Sequence, residues 1–130
     1  MKVLVDTQCW LWMLADPGRL SRRAQRMLAR GDRELYLSAA SAWEIAIKWR
    51  LGKLTLPADP VEYVTSRVTR SGVLPLPIKH AHALHVARLA PHHRDPFDRL
   101  LVAQAQLEDM ALLTADRQLE PYGVRIEWAD

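Results

Sequence analysis

One cysteine, Cys9, leaves no partner for a disulfide, so the 130-residue chain is not a small scaffold stapled by cystine. Phenylalanine is nearly absent too, with a single residue, and the 49% hydrophobic content comes mainly from aliphatic side chains. That content is too high for an intrinsically disordered chain. No apolar stretch reaches the roughly 20 residues of a membrane span. Residues 1–15 come nearest, but Asp6 interrupts them and no small-residue cleavage site follows, which argues against a signal peptide. Internal repeats, low-complexity tracts and linkers are also missing. A lone thiol without an export signal points to a reducing cytoplasm. These exclusions leave one cytoplasmic domain over residues 1–130, with no membrane partner.

Neither sign of charge dominates. Lysine and arginine number 18 against 15 acidic residues, a net charge of +3 that does not by itself imply a nucleic-acid partner. Arginine supplies 14 of those 18, and its planar fork is the better phosphate ligand. Arg19, Arg22, Arg23, Arg26 and Arg30 share the outer face of a helix predicted over 20–30, opposite Leu20, Ala24, Met27 and Leu28. Such a stripe is either a solvated face or a track for an RNA backbone.

Residues 1–6 read as a short buried strand ending in a carboxylate, followed by a turn at Asp16-Pro-Gly18. A second strand over 34–37 closes at Ser38. The helix predicted over 38–50 is apolar nearly all round, hence expected mostly buried, and Gly52 ends it. Asp59-Pro-Val-Glu62 opens another helix, with Val61, Val64 and Val68 as its inner stripe and Ser71-Gly72 as its stop. A third strand is expected over 73–76, a helix over 80–89 and a break at Pro91. Asp95-Pro-Phe-Asp98 opens a helix to about residue 109, with Phe97, Leu100, Leu101 and Leu107 inward. Residues 111–114 form a strand leading to Asp116. Val124, Ile126 and Trp128 alternate with Arg125 and Glu127, as in a half-exposed last strand. Strands alternating with helices imply right-handed crossovers. The fold class is a small α/β sandwich: a mainly parallel central sheet of about five strands with helices on both faces.

In such a sheet the functional crevice lies beyond the carboxyl ends of the strands. Asp6 and Asp116 stand at strand ends. Glu44 and Asp98 are expected in first turns of helices that start at the same edge. Each has an ordinary structural alternative. Asp6 can cap a turn with Thr7, Glu44 can complete a capping box from Ser41, Asp98 holds the third position behind Asp95, and Asp116 can be a turn aspartate. Together they are harder to dismiss. Glu44 lies on a helix expected in the core, where an unpaired carboxylate is costly. Carboxylates about 4 Å apart repel by a few kcal/mol per pair at an effective dielectric near 20. A hard dication relieves that repulsion. Mg2+ or Mn2+ prefers oxygen ligands and retains water, so an all-carboxylate pocket suits it better than zinc. Such an ion activates water and stabilises charge developing on a phosphate, which points to phosphodiester hydrolysis.

Five phrases carry a family resemblance: Leu-Val-Asp-Thr (4–7), Ser-Ala-Ala-Ser-Ala-Trp-Glu-Ile-Ala-Ile-Lys (38–48), Leu-Gly-Lys-Leu (51–54), His-Arg-Asp-Pro-Phe-Asp-Arg-Leu-Leu-Val-Ala-Gln-Ala (93–105) and Leu-Leu-Thr-Ala-Asp (112–116). In them the chain resembles the PIN-domain nucleases, and among these the VapC-type toxins of bacterial toxin–antitoxin pairs. The resemblance implies that Asp6, Glu44, Asp98 and Asp116 are the catalytic, metal-holding quartet. Asp98 takes the third role because the phrase Asp-x-Leu-(Leu/Ile)-x-Ala begins there; Asp95, its rival, reads as the helix cap. It further implies one or two Mg2+ or Mn2+ ions, attack by metal-activated water, and products with 5′-phosphate and 3′-hydroxyl ends. The implied function is an endoribonuclease toxin, homodimeric, acting on RNA and neutralised by a VapB-type antitoxin whose C-terminal segment crosses the acidic groove. The alternatives are a PIN nuclease of RNA processing or structured DNA, for whose usual insertions 130 residues leave no room, and a decayed nucleic-acid-binding module, against which the presence of all four acids counts.

Around the quartet, Thr7 and Thr114 are candidates to orient a carboxylate, with satisfied turn hydroxyls as the alternative. Arg99, Arg117 and Lys48 are candidate phosphate holders, with salt bridges or solvent as the commoner fate. Trp10 and Trp12, near the Asp6 edge, offer stacking to bases or a landing site for a partner. Trp43 and Trp49 are expected in the core or at a subunit interface. Histidines 80, 82, 85, 92 and 93 match no zinc-finger spacing. His92, His93 and Arg94 are expected to shape the loop into the Asp98 helix, and no side chain suggests a general base.

Overall fold

A computed structural model describing residues 1–130 puts the first strand of the chain at the centre of the sheet. β1 (Lys2–Val5), β2 (Glu34–Ser38), β3 (Leu74–Leu76), β4 (Ala111–Thr114) and β5 (Ile126–Trp128) form five strands in the order β3-β2-β1-β4-β5. Every pairing is parallel, with Val3 opposite both Leu35 and Ala111. The chain builds outward from β1 to β3, then crosses back to add β4 and β5 on the other side. Strand order therefore reverses between β1 and β4, and a crevice opens beyond their carboxyl ends.

Alternation along the strands sorts the core into two layers. Val3 and Val5 of β1 and Ala111 and Leu113 of β4 enter one, with Trp10, Ala24, Met27 and Val64. Leu4 and Leu112 enter the other, with Leu100, Leu101, Ala105 and Tyr122. The first layer is roofed by α1 (Thr7–Ala15), α2 (Arg22–Ala29) and α4 (Pro60–Ser71). The second is roofed by α6 (Pro96–Leu107), against which α5 (His80–His85) packs. α3 (Ala39–Arg50) touches both, through Ile45 and Ala40 respectively. No helix is long and apolar enough to cross a membrane.

Local chemistry sets these boundaries. Asp6, Ser21, Ser38, Asp59 and Asp95 each accept a backbone N–H of the helix they open, an interaction worth about 1 kcal/mol. Pro60 and Pro96 occupy first helical positions, where no N–H is needed. Gly72 closes α4 at φ 75°, a conformation that glycine adopts without strain.

Several expectations need correction. Residues 7–15, left unassigned by the sequence, form a helix with Asp6 as its cap. Trp10 is thereby fully buried and donates from Nε1 to Ser71 Oγ at 3.2 Å, tying α1 to α4; it offers no stacking face. Trp12 is half-buried, with the Arg19 guanidinium 5.8 Å from its ring. α3 is buried on one face only. Trp43, on its outer face, is 56% exposed and rests edge-on against Phe97 rather than in the core, while Trp49 is half-buried. On α4 the inward face runs through Pro60, Tyr63 and Val64, because burying the large Tyr63 ring turns Val61 outward to 77% exposure. Leu107 is also exposed, at the last position of α6 where the helix outruns the sheet. The helix expected over 80–89 stops at His85 and continues as a tighter turn over Val86–Arg88. Arg99 accounts for this, its Nη2 donating to the carbonyls of Val86 and Leu89 at 3.1 and 3.4 Å.

Candidate active site

Asp6 and Asp116 meet through one hydroxyl. Asp6 extends β1 by one rung, its N–H donating to the Leu113 carbonyl at 2.9 Å, so its side chain emerges beside the end of β4. There Thr114 Oγ1 donates to Asp6 Oδ2 at 2.6 Å and accepts the Asp116 N–H at 3.0 Å. The remaining oxygen of Asp6 accepts the Gln8 N–H, and Asp116 Oδ1 accepts that of Gln118. Thr114 therefore does orient a carboxylate. Thr7 does not: its hydroxyl donates to Ser41 Oγ at 2.8 Å, joining α1 to α3.

Glu44 sits in the second turn of α3, not the first, because Ser38 rather than Ser41 caps the helix. The capping box expected from Ser41 therefore does not form. Glu44 is left facing the crevice at 6% exposure, with Lys48 Nζ 2.6 Å from Oε2. Its Oε1 is buried without any hydrogen-bond partner. An orphaned buried oxygen of this kind is costly unless something absent from the polypeptide binds it.

Asp98 enters from the first turn of α6, behind the Asp95 cap. Burial above all, then the fields of Asp6, Asp95, Glu44 and Asp116, push its carboxyl from 3.8 up to about 8. Asp6 is raised as well, again chiefly by burial; the hydrogen bonds from Thr114 and Gln8 pull the other way, and Glu44 and Asp116 add to the rise. Asp6, Glu44, Asp95, Asp98 and Asp116 all line one cleft of about 410 Å³, with Lys48 and Lys53 as its cations. Asp95 spends Oδ1 on the Phe97 N–H at 2.9 Å while lining the same cleft, so the cap and the cleft share this residue.

Two side chains, one lining the cleft and one touching its acids, receive no site role from the sequence. Lys53 lies just past Gly52, inside the phrase Leu-Gly-Lys-Leu (51–54) that carries the resemblance, which assigns it no role. His93 reads from the sequence only as a loop-shaping residue, but its Nε2 lies 2.8 Å from Asp116 Oδ2 and 3.3 Å from Asp98 Oδ2. The three residues form a cluster of metal-ligating type, with ligand atoms within 4.8 Å of one another. The available signal is His93 standing two residues before the Asp95 cap, where its ring can accept the cap's own N–H, as it does at 3.0 Å.

Other candidates point elsewhere. Arg99 follows Asp98 but lies round the helix from it. Its guanidinium holds the carbonyls of Ala90, Val86 and Leu89 and the Tyr122 hydroxyl, so it is a structural staple and not a phosphate holder. Arg117 pairs with Asp130 at 3.0 Å and lies 3.9 Å over the Trp128 ring, also away from the cleft. None of Arg19, Arg22, Arg23, Arg26 and Arg30 lines the cleft. Arg19 pairs with Asp16 and Arg30 with Asp32, while Arg22, Arg23 and Arg26 are exposed.

The donor set fits a hard divalent cation: carboxylate oxygens from four elements, one of them orphaned and two of the groups made reluctant to ionise by burial. Asp6, Glu44, Asp98 and Asp116 are the residues that would hold it.

Comparison with known proteins agrees with this architecture. The chain is 55% identical over 51 residues to Ribonuclease VapC16 of Mycobacterium tuberculosis, a match spanning 39% of this chain and 36% of that protein. It is 32% identical over 124 residues to Ribonuclease VapC22 of the same organism, covering 92% of this chain and 91% of the relative. Its fold superposes on a chain of the VapBC2 complex from Rickettsia felis bound to promoter DNA, with a TM-score of 0.73, 14% identity and 100% of both chains covered. The PIN domain family matches residues 3–124, and the chain belongs to that family.

Proposed function

We propose that this protein is a divalent-metal-dependent endoribonuclease that hydrolyses phosphodiester bonds of RNA, and that it is the toxin of a toxin–antitoxin pair. The observation that carries the reading is the meeting of Asp6, Glu44, Asp98 and Asp116 in one cleft, with Glu44 Oε1 buried and unpartnered. The ribonuclease names of the two relatives support the activity, and the VapBC architecture supports a VapB-type antitoxin as partner. We assign the four acids as the catalytic residues holding one or two ions of Mg2+ or Mn2+. Bound there, the ion supplies water activation and neutralisation of phosphate charge.

The chain's own residues do the rest. Thr114 and Gln8 fix both oxygens of Asp6, so this carboxylate needs no reorganisation when the site loads. Lys48 and Lys53 provide positive charge at the cleft for the phosphates flanking the scissile bond. Burial of Asp6 and Glu44 keeps their charges in a low-dielectric setting, where they act strongly on whatever binds. Arg22, Arg23 and Arg26 lie outside the cleft and suit a more distant stretch of RNA backbone. The protein acts in the cytoplasm as a homodimer of single domains.

The test is cleavage of total and structured RNA in Mg2+ or Mn2+, with EDTA and Asp98→Asn as controls. Cuts that vanish in both controls support the nuclease; cuts that persist in Asp98→Asn contradict it. Asp95→Asn should cost less than Asp98→Asn, and an equal loss would move the third acid to Asp95.

A further inference from the structure

His93 is a histidine held between two acids, and its hydrogen bonds define which nitrogen carries the proton. Nδ1 lies 3.0 Å from the Asp95 backbone nitrogen, whose N–H can only donate, so Nδ1 is an acceptor and bears no hydrogen. The proton is then on Nε2, facing Asp116 Oδ2 at 2.8 Å and Asp98 Oδ2 at 3.3 Å. The loop is anchored as well. The His93 N–H donates to the Tyr122 hydroxyl at 2.9 Å, and Arg99 Nη1 donates to that hydroxyl at 3.1 Å and to the His93 carbonyl at 3.4 Å.

We infer that His93 is a positioning residue of the metal site: an Nε2–H donor that holds Asp116 in place, beside Asp98, for the cation without ligating it. The inference rests on the metal-dependent reading above. Ligation through Nε2 would require the proton to move to Nδ1, where it would confront the Asp95 N–H across 3.0 Å. As a donor to Asp116, His93 fixes one oxygen of that carboxylate next to Asp98. Glu44 Oε1, buried without a hydrogen-bond partner, stays available to the ion. Partners of this kind, which orient a ligand rather than bind the metal, typically change metal affinity 10- to 100-fold when removed.

Glutamine carries an amide N–H at about the reach of Nε2, whereas alanine carries nothing. Titration calorimetry of the full chain with Mn2+ and with Mg2+ should show His93→Ala binding about 10- to 100-fold more weakly, and His93→Gln within about threefold of wild type. Long-range proton–nitrogen spectra of the wild-type imidazoles, assigned by difference with His93→Gln, should show the Nε2–H form of His93 both without metal and with saturating Mg2+. Loss of the Nε2 proton on loading, or equal weakening in both variants, would make His93 a ligand and overturn the inference. Unweakened binding by His93→Ala would remove its role altogether. Failure of wild type to bind either metal would overturn the metal-dependent reading itself, a result distinguishable from the others because it needs no variant.

Discussion

Replacing Asp98 by asparagine should stabilise the metal-free protein, and the gain should grow with pH. The Asp98 carboxyl titrates near 8 in the fold against 3.8 when unperturbed, chiefly because it is buried. Between those values the folded chain holds a proton that the unfolded chain has released. Stability therefore falls as pH rises from about 4 to 8, and the full penalty is present above 8. Roughly four pH units correspond to on the order of 5 kcal/mol at 1.36 kcal/mol each. This is an upper bound, since the side chain retains 16% exposure and His93 faces it at 3.3 Å. Half of it, about 2–3 kcal/mol, is the expected gain for Asp98→Asn at pH 9, or roughly 6–12 °C in Tm for a domain of this size. The assay is thermal unfolding followed by circular dichroism in EDTA, near pH 6 and pH 9. The advantage of Asp98→Asn should be smaller at the lower pH. Adding Mg2+ or Mn2+ should then raise the Tm of wild type by mass action and leave the variant nearly unmoved. Equal Tm values in EDTA at pH 9, or an advantage that shrinks as pH rises, would refute the reasoning.

Thr114→Val removes the donor to Asp6 and the acceptor of the Asp116 N–H together; denaturant unfolding should show a loss of about 1–3 kcal/mol, with RNA cleavage falling as well. Thr7→Val breaks only the bond to Ser41, and should cost less in both measurements. Arg99→Lys cannot reproduce the fork that gathers the Val86, Leu89 and Ala90 carbonyls, so urea unfolding should show a loss of about 2 kcal/mol; unchanged stability would mean that the guanidinium is not a staple. Arg22→Ala with Arg26→Ala should weaken RNA binding and reduce its log–log salt slope by about 1 for each phosphate no longer neutralised, whereas an unchanged slope would return these arginines to solvent.

Much of this was legible because the signals are short-range. Asp-Pro openings at 59 and 95 are complete local instructions, and both helices start there. The run of residues 111–114 is apolar on both faces, as a central parallel strand must be, and β4 has those bounds. The four acids named from the sequence line one cleft because two follow adjacent parallel strands and two ride helices that reach the same edge. What was hidden depends on interactions between distant residues. The choice of Ser38 over Ser41 as cap turns on where β2 ends, and it moves Glu44 by a turn. The burial of Trp10 depends on Ser71, 61 residues away, and the split of the helix after His85 depends on Arg99. His93 was hidden differently: Asp95, two residues on, explains the ring's orientation, but the acids it faces arrive from α6 and from beyond β4.

The central claim is that these carboxylates hold a divalent cation, and the most direct measurement is a crystal of the wild-type protein soaked in Mn2+, with anomalous scattering recorded for the metal. The account predicts a peak in the cleft, roughly 2–2.5 Å from oxygens of Asp6 and Asp98, within reach of Asp116 and Glu44 directly or through water, and not bonded to His93 Nε2. An empty cleft at saturating Mn2+, or a peak only at another surface, would contradict it.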